Sequence, residues 1–280
     1  MFTFTDLPEL RARVRAWKIE GLRVGFVPTM GNLHAGHMAL IDLAREHADR
    51  VVASVFVNPT QFGPNEDFSR YPRTLDADAA GLAAHDCDAL FAPTVATMYP
   101  YGTGNEVKVQ VPDITTILDG AHRPGHFDGV ATVVARLFNM VQPDVAVFGQ
   151  KDYQQLQVIS RLVRDLAFPI EIVAAPTVRA DDGLALSSRN QYLSPAEREV
   201  APTIHATLLS MREGVRGGRT LAAVEAAATA RLVAAGFAVD YATIRRADLG
   251  APADHTRTGL VALIAARLGN TRLIDNLLLD

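Results

Sequence analysis

The chain has 280 residues, of which 49% are hydrophobic and 21% charged, and its formal net charge is −4. It carries no basic stripe of the kind that nucleic-acid binders show, and no run of 18 or more uncharged apolar residues, so we expect neither a nucleic-acid partner nor a membrane partner. The N-terminus lacks the features of a signal peptide and the single cysteine, Cys87, excludes an internal disulfide, which together favour a cytoplasmic protein.

Apolar segments alternate with helical patterns over the first two thirds of the chain. The predicted strands are Leu22–Val27, Val51–Val57, Ala89–Phe91, Val145–Phe148 and Ile170–Ala174. The predicted helices are His37–Ala48, Leu75–His85, Val130–Val141 and Tyr153–Leu166. The runs VVASVFV and DVAVF are continuously apolar, which is typical of parallel strands covered on both faces. The alternation predicts an α/β fold with a doubly wound, Rossmann-like parallel sheet.

The pattern changes around Pro176–Gly183. The elements predicted after it are helices at Pro195–Arg212 and Leu221–Ala234 and apolar runs at Val239–Ile244 and Leu260–Ala266. The segment LSPAERE has the residues of a helix start with a capping box. We therefore predict two domains, a Rossmann-like ligand-binding domain over residues 1–177 and a smaller α+β domain over residues 178–280.

The segment PTMGNLHAGH, residues 28–37, lies where the first predicted strand gives way to a helix. Ligands of α/β sheets bind at such strand ends, and the N-terminus of the following helix favours an anion. Gly31 and Gly36 permit a close approach of the backbone to a ligand. We predict that His34 and His37 donate hydrogen bonds to nucleotide phosphates and stabilise the charge that develops there during reaction.

Other interpretations of the two histidines stay open at this point. Each ring could simply be a core or loop histidine that is hydrogen-bonded to the backbone. A zinc site would need at least one further ligand, and neither a third nearby histidine nor an HExxH motif is present. An H-x-G-H segment on the first helix marks nucleotidylyl-transfer enzymes, which pair it with a basic loop far downstream. Ser187, Ser188 and Arg189 are candidates for that loop, although LSSRN is also compatible with a turn before a helix.

Four further segments make the pattern specific: FVNPTQFGPNEDFSRYPRT, RPGHFDGVATVV, FGQKDYQQL and DGLALSSRN. Together with PTMGNLHAGH they resemble the pantoate–β-alanine ligase family, in order and spacing, over most of residues 22–195. The resemblance implies a ligase that uses ATP to activate pantoate as pantoyl adenylate, with release of pyrophosphate. β-Alanine then displaces AMP to form pantothenate, on the route to coenzyme A. The resemblance also implies Mg²⁺ bound with ATP and a homodimer. Because Lys151 and His37 precede the predicted domain boundary and Arg189 follows it, we also predict that residues 178–280 act as a lid.

The resemblance also implies roles for individual residues. His34, His37 and Lys151 are expected to act in catalysis. The expected ATP-binding residues are Met30, Gly31, Asn32, Leu33, His34, Ala35, Gly36, His37, Asn58, Gly149, Gln150, Lys151, Asp152, Val178, Leu186, Ser187, Ser188 and Arg189. Gln61 and Gln155 are expected to bind pantoate, Gln61 also β-alanine, and Asp78 is a candidate Mg²⁺ ligand. Two positions depart from the family pattern, since many relatives have acidic residues where this chain has Ala77 and Gln150.

Three other classes of protein would use part of this pattern. A transferase that joins a nucleoside monophosphate to a phosphorylated acceptor would also use H-x-G-H, but would keep AMP in its product. An aminoacyl-tRNA synthetase is disfavoured by chain length and net charge. A nucleotide sensor would need only the binding groups, which leaves no purpose for Lys151 and Arg189 in separate predicted domains.

Overall fold

The computed structural model describes residues 1–64, 66, 68–253 and 255–280. These residues form two compact units, Met1–Gly149 with Val158–Ala175, and Gln150–Gln157 with Pro176–Asp280. The boundary predicted at 177/178 differs from this grouping chiefly in Gln150–Gln157, which belongs to the second unit. No helix within the described ranges is long and apolar enough to cross a membrane.

A parallel sheet of six strands forms the centre of the first unit. The strands are β1 (Phe2–Phe4), β2 (Val24–Thr29), β3 (Arg50–Val55), β4 (Ala89–Phe91), β5 (Val145–Gly149) and β6 (Glu171–Ala175). Their order across the sheet is β1-β4-β3-β2-β5-β6, and every neighbouring pair is parallel. In the register, Gly25 of β2 lies opposite Val51 on one side and Val145 on the other. The strand order therefore reverses between β2 and β5, which confirms the doubly wound topology.

The helices of the first two thirds of the chain alternate with these strands. They are α1 (Leu7–Ile19), α2 (Ala35–His47), α3 (Leu75–Ala84), α4 (Val95–Met98), α5 (Asp119–His122), α6 (His126–Val141) and α7 (Tyr153–Asp165). The predicted helices correspond to α2, α3, α6 and α7, with α6 beginning four residues earlier than expected. Helices α1, α4 and α5 are additional. The start of α1 carries a clear signal, since Asp6 accepts a hydrogen bond from the Glu9 N–H and Pro8 lies in the first turn.

The sheet of the first unit is buried on both faces. Phe26 and Val27 are consecutive residues of β2 and both are fully buried, as the continuous apolar runs predict. Helix α2 packs on this sheet through Ile41 and Ala44, which are also fully buried. A Cβ at Gly25 would lie 3.1 Å from the Ala48 Cβ, so the chain beyond α2 approaches β2 closely. This packing fixes the N-terminus of α2 near the carboxyl end of β2.

The second unit combines helices with a small antiparallel sheet. Its elements are α8 (Pro195–Val200), α9 (Thr203–Arg216), α10 (Leu221–Ala234), β7 (Ala238–Arg246), β8 (Leu260–Leu268) and β9 (Thr271–Leu278). The strand order is β7-β8-β9, as expected for a smaller α+β domain. The single helix predicted over Pro195–Arg212 is wrong, because the chain divides into α8 and α9 at Pro202. Proline has no N–H to continue the helical hydrogen bonds.

Candidate active site

The reversal of strand order locates the candidate site. In a doubly wound sheet, ligands bind beyond the carboxyl ends of the strands where the order reverses. Here the reversal lies between β2 and β5, whose last residues are Thr29 and Gly149. The chain continues from β2 into residues 30–34 and from β5 into the 3-10 turn Gln150–Asp152. Both segments contain residues that the sequence predicts to bind ATP.

His34 and His37 form the first turn of α2. His34 is the N-cap, and its Nδ1 accepts the Gly36 N–H at 3.1 Å. His37 Nδ1 in turn accepts the His34 N–H at 3.3 Å, and the two ring centroids are 4.1 Å apart. This reciprocal arrangement is a capping box made of two imidazoles, where Ser or Thr and Glu or Gln are the usual residues.

The cap determines which nitrogen of each ring carries the proton. A neutral imidazole has one donor and one acceptor nitrogen, and Nδ1 is the acceptor in both rings, so each proton is on Nε2. Both Nε2–H donors belong to the N-terminus of α2, where the helix dipole also favours negative charge. The two interpretations of these histidines are therefore compatible. In each ring Nδ1 accepts from the backbone, and Nε2 is the nitrogen that would donate to a phosphate.

Asp78, in the first turn of α3, holds the loop that precedes the histidines. Its side chain is buried, Oδ2 accepts the Asn32 N–H at 3.0 Å, and Oδ1 accepts the Leu33 N–H at 2.8 Å. The Thr74 hydroxyl donates to the same carboxylate, at 3.2 Å from both oxygens. Gly31 has φ +85°, and a Cβ there would lie 2.9 Å from Asp78 Oδ2. Both the backbone angle and the available space require glycine at position 31.

These contacts give Asp78 a structural function in the loop before α2. A buried carboxylate whose two oxygens already accept backbone and hydroxyl hydrogen bonds offers little to an incoming cation. In the part of the chain that the structure describes, no group of three or more His, Cys, Asp or Glu side chains could hold a metal ion. The described residues therefore offer no Mg²⁺ site made of protein side chains alone, and the metal role of Asp78 toward ATP-bound Mg²⁺ stays a prediction.

Gln61 ends the 3-10 turn Pro59–Gln61 that follows β3, and it is buried. Its Oε1 accepts a hydrogen bond from Asn58 Nδ2 at 3.1 Å, and its Nε2 lies 3.2 Å from Met30 Sδ. The Met30 contact links the loop before α2 to the predicted pantoate-binding amide.

Asn58 orients Gln61 through its side-chain amide. Its Nδ2 uses its second hydrogen on the Gly129 carbonyl oxygen at 3.2 Å, and its Oδ1 accepts from the Tyr99 hydroxyl at 2.7 Å. Thr60 donates to the same Oδ1 through both its backbone N–H and its hydroxyl. Because Asn58 is only 1% exposed and its side-chain amide is fully engaged, this geometry adds no support for a side-chain contact with phosphate, which stays a prediction.

Three residues without a predicted role hold the backbone of Gln61. His126 Nδ1 donates to the Gln61 carbonyl oxygen at 2.8 Å, and His126 Nε2 accepts from Arg123 Nη1 at 2.9 Å. Arg123 also forms a bidentate ion pair with Glu66, with both N–O distances 2.6 Å. Burial, and then the charge of Arg123, lower the pKa of His126 to about 4, so its ring is neutral near pH 7. Burial acts to raise the pKa of Glu66, but the bonds from Arg123 outweigh it and the net shift is downward.

The segment RPGHFDG contains most of this support. Helix α6 approaches the Pro59–Gln61 turn so closely that a Cβ at Gly129 would lie 2.5 Å from the Thr60 carbonyl oxygen. The motif is visible in the sequence, but the residues it contacts lie about 60 positions earlier in the chain, at Gln61 and Glu66. Sequence spacing alone therefore cannot assign the roles.

Lys151 and Asp152 lie in the 3-10 turn Gln150–Asp152 of the second unit. Lys151 Nζ is 3.7 Å from Asp152 Oδ1, and the lysine side chain is mostly buried whereas that of Asp152 is half-exposed. The turn leads directly into α7, whose first turn carries Gln155 in a partly buried position. Lys151, which is predicted to bind ATP, thus lies only four residues before Gln155, which is predicted to bind pantoate.

A short hairpin in the second unit leads to Ser187, Ser188 and Arg189. The Leu186 N–H donates to the Val178 carbonyl oxygen at 2.9 Å, so these two residues, both predicted to bind ATP, are paired. Ser187 caps the following 3-10 turn, because its Oγ accepts the Arg189 N–H at 3.3 Å. Capping uses the acceptor side of the Ser187 hydroxyl and leaves its proton as a donor, so the turn and a ligand-binding role are compatible.

Comparisons with known proteins agree over the whole chain. Residues 2–278 match the family model described as pantoate-beta-alanine ligase. The chain is 62% identical over 275 residues to the pantothenate synthetase of Xanthomonas euvesicatoria pv. vesicatoria (strain 85-10) and 63% identical over 276 residues to that of Xylella fastidiosa (strain 9a5c). Each alignment covers 98% of both proteins.

Solved structures give the same result. The pantothenate synthetase of Thermus thermophilus is 50% identical with a TM-score of 0.92, covering 100% of this chain and 99% of that one. The pantoate-beta-alanine ligase of Francisella tularensis, complexed with beta-gamma ATP and beta-alanine, is 34% identical with a TM-score of 0.82, covering 99% and 97%. The chain therefore belongs to the pantoate–β-alanine ligase family of amide-forming enzymes.

Proposed function

We propose that this chain joins pantoate to β-alanine at the expense of ATP and so forms pantothenate, the precursor of coenzyme A. In the first step, a carboxylate oxygen of pantoate attacks the α-phosphorus of ATP, and the bond to pyrophosphate breaks. In the second step, the amine of β-alanine attacks the acyl carbon of pantoyl adenylate, AMP leaves, and the amine loses a proton. Family membership supports the reaction, and the observation that carries the mechanism is the paired-histidine cap of α2.

The cap provides two fixed donors for the first step. His34 Nε2–H and His37 Nε2–H would stabilise negative charge on the α-phosphate and on the departing pyrophosphate. Their orientation is set before ATP arrives, because both Nδ1 atoms are already bonded to the backbone. Lys151 would add a flexible point charge that follows the moving phosphate.

The remaining ATP contacts would come from the other residues that the resemblance implies. The backbone of residues 30–37 and of Gly149–Asp152 would surround the phosphates, and Asp152 would accept hydrogen bonds from the ribose. Val178 and Leu186 would contact adenine, and Ser187–Arg189 the phosphates. Mg²⁺ would enter bound to ATP as part of the substrate, where it offsets phosphate charge.

Gln61 and Gln155 would bind the hydroxyls and carboxylate of pantoate, since an amide offers both a donor and an acceptor. Gln61 Nε2 faces the thioether of Met30, which is a weak acceptor. A pantoate oxygen would be a stronger partner for that N–H. β-Alanine would use Gln61 in the second step.

Pantoate-dependent exchange between ATP and pyrophosphate, measured without β-alanine, tests the proposal. We expect exchange only with pantoate present, and free AMP, pyrophosphate and pantothenate in equal amounts once β-alanine is added. His37→Ala and Lys151→Ala should each lower exchange by about 10²–10³-fold with an unchanged circular dichroism spectrum. Formation of ADP and phosphate would exclude an adenylate, and AMP retained in the product would indicate the alternative transferase.

We also propose that the protein is a cytoplasmic homodimer. The resemblance to the family implies a homodimer. Use of ATP, which is available in the cytoplasm, supports the location. Sedimentation equilibrium of the wild-type protein tests this assembly, with a dimer expected and a monomer contradicting the proposal.

A further inference from the structure

The last strand of the chain contacts both segments of the second unit that are proposed to bind ATP phosphates. Strand β9 packs against the 3-10 turn Gln150–Asp152 and also against the 3-10 turn Ser188–Tyr192. These turns contain Lys151 and Arg189. No motif in the sequence after about residue 200 indicates a function, so this contact is visible only in the structure.

Asn276 makes the contact with the lysine turn. Its side chain is buried, and Nδ2 donates to the carbonyl oxygens of Gln150 and Lys151, both at 2.9 Å. Asn276 lies opposite Leu263 in the sheet, on the face of β9 that points away from the core residue Leu273. Both hydrogens of one amide therefore hold two consecutive carbonyls at the lysine.

The neighbouring residue makes the contact with the other segment. Asp275 is buried, and its carboxylate forms a bidentate pair with Arg179, at 2.5 and 2.9 Å. Arg179 Nη1 also donates to the Gly183 carbonyl oxygen at 3.0 Å, and its backbone is bridged to that of Ala185. Arg179 thus closes the hairpin that leads into Ser187–Arg189, and bidentate pairs of this type fix geometry as well as adding stability.

A third hydrogen bond joins the two contacts. The Asn276 N–H donates to Asp275 Oδ1 at 2.8 Å, which is the same oxygen that accepts from Arg179 Nη2. The lysine turn and the hairpin are therefore connected through two consecutive residues of β9. A shift of either residue would be transmitted to both segments.

We propose that Asp275 and Asn276 are positioning residues that hold Lys151 and the Ser187–Arg189 segment in one frame. The proposal rests on the proposed function, because it takes Lys151 as the cation of the adenylation step. Asparagine suits the position because it supplies two N–H donors from one atom. Aspartate would place carboxylate oxygens against two carbonyl oxygens, and alanine would leave both carbonyls without a donor.

The oxygen of the same amide supports a role beyond stability. Asn276 Oδ1 is buried and has no hydrogen-bond partner among the described residues. An unpaired buried acceptor is destabilising, so Asn276 is a poor choice for packing alone. The two donated bonds to the lysine turn provide a reason for its presence.

Asn276→Ala in the full-length protein tests the proposal, with Arg272→Ala as the matched control. Arg272 lies on the same strand, four residues before Asn276, and forms a mostly buried ion pair with Asp240 at 2.7 Å. Asn276→Ala should lower kcat for pantoate-dependent exchange by about 10- to 10²-fold, because small displacements of a positioned group have effects of that size. KM for pantoate should stay within about twofold, and Arg272→Ala should change neither parameter by more than about twofold.

A double-mutant cycle separates positioning from general destabilisation. If Asn276 acts through Lys151, Asn276→Ala should have little further effect in the Lys151→Ala background. The proposal would be overturned if Asn276→Ala lowered kcat equally in the wild-type and Lys151→Ala backgrounds, or if it did not lower kcat in the wild-type background. If Asn276→Ala does not fold, Asn276→Ser, which keeps one donor, replaces it in the same cycle.

A measurement without pantoate makes the two proposals distinguishable. The reactivity of Lys151 with acetic anhydride, quantified by mass spectrometry, can be referred to Lys18 and Lys108, the other lysines of the chain. We expect Asn276→Ala to change Lys151 reactivity several-fold and Arg272→Ala to leave it unchanged. Wild-type protein without pantoate-dependent exchange would refute the proposed function, whereas unchanged Lys151 reactivity in Asn276→Ala would refute the positioning role.

Discussion

His34 shows how one side chain combines a structural contact with a chemical one. Its Nδ1 caps α2 by accepting the Gly36 N–H, and this bond leaves the ring proton on Nε2. The usual cap residues Ser, Thr and Asp would stabilise the helix equally well but have no donor at the Nε2 position. The two contributions of the ring can therefore be separated by substitution.

His34→Ser and His34→Ala should lose the same activity but differ in stability. Both remove the Nε2–H donor, so pantoate-dependent exchange should fall by about 10²–10³-fold in each. Serine retains an acceptor at the N-cap, whereas alanine should lower the free energy of unfolding by about 1 kcal/mol. Exchange assays and urea titrations measure the two effects. A fully active His34→Ser protein would show that the ring donor is not needed.

Gln61→Ala and Gln155→Ala should weaken pantoate binding more than ATP binding. Each variant loses a hydrogen-bond partner of about 1 kcal/mol, which corresponds to about a fivefold rise in the Kd of pantoate. Gln110→Ala is the control, because Gln110 is an exposed glutamine that donates to Asp128. Calorimetric titrations with each ligand decide the matter, and equal weakening of both ligands would mean that the two amides do not define the pantoate pocket.

At the scale of elements, the sequence predicts what local pattern encodes. Strands β2, β3 and β5 and helices α2 and α7 are predicted within about two residues because apolar runs and helical periodicity determine them. Strand β1 is short and mostly exposed, so it has no such pattern. In β9 the polar residues Asp275 and Asn276 interrupt the apolar alternation, because both are buried by contacts to distant segments.

In the candidate site, too, contacts between neighbouring residues can be predicted from the sequence and contacts between distant residues cannot. The loop and cap around His34 and His37 follow from neighbouring residues, so the segment HAGH predicts them. The support of Gln61 by His126 does not, because the bond joins positions that are 65 residues apart. Asn58 illustrates the difference, since its position after β3 suggests a ligand contact while its side-chain amide is engaged by distant partners in the fold.

Because of His126 in helix α6, the free energy of unfolding of the first unit should fall as the pH is lowered from about 6.5 to about 4. His126 in the folded protein takes up a proton only near pH 4, whereas an unfolded histidine does so near 6.5. The unfolded state therefore binds more protons in this window, and the free energy of unfolding should drop by about 2 kcal/mol near pH 5. The groups around the ring are Arg123, Glu66, Asp119 and the Gln61 carbonyl.

His126→Asn is the variant that tests this pH dependence. Asparagine keeps an N–H close to the Nδ1 position but does not titrate. The free energy of unfolding of the variant should therefore change less between pH 7 and pH 5 than that of the wild type. Urea unfolding at the two pH values measures the difference. An identical loss in both proteins would assign the acid sensitivity to other groups.

At the scale of the whole molecule, the predicted linear boundary and the contacts of the fold group the lysine segment differently. The boundary at 177/178 groups Lys151 with His37, whereas its contacts group Gln150–Gln157 with Pro176–Asp280. The bonds from Asn276 to this segment span 125 and 126 positions, so no sequence spacing indicates them. Lys151 and Arg189 consequently belong to the same unit, and residues 178–280 carry a larger part of the proposed chemistry than the boundary suggests.

Arg189→Ala tests whether the second unit acts as the predicted lid. Pantoyl adenylate is hydrolysed if water reaches it, so a closed site protects the intermediate until β-alanine attacks. If Arg189 contributes to closure through the phosphates, its loss should slow adenylation and also release AMP in excess over pantothenate. Arg198→Ala is the control, because Arg198 pairs with Asp182 on the surface of the same unit, at 2.5 Å. Chromatography of AMP and pantothenate gives the ratio, which should stay at unity in the wild type and the control. A ratio of unity in a slow Arg189→Ala enzyme would mean that Arg189 binds phosphate without protecting the adenylate.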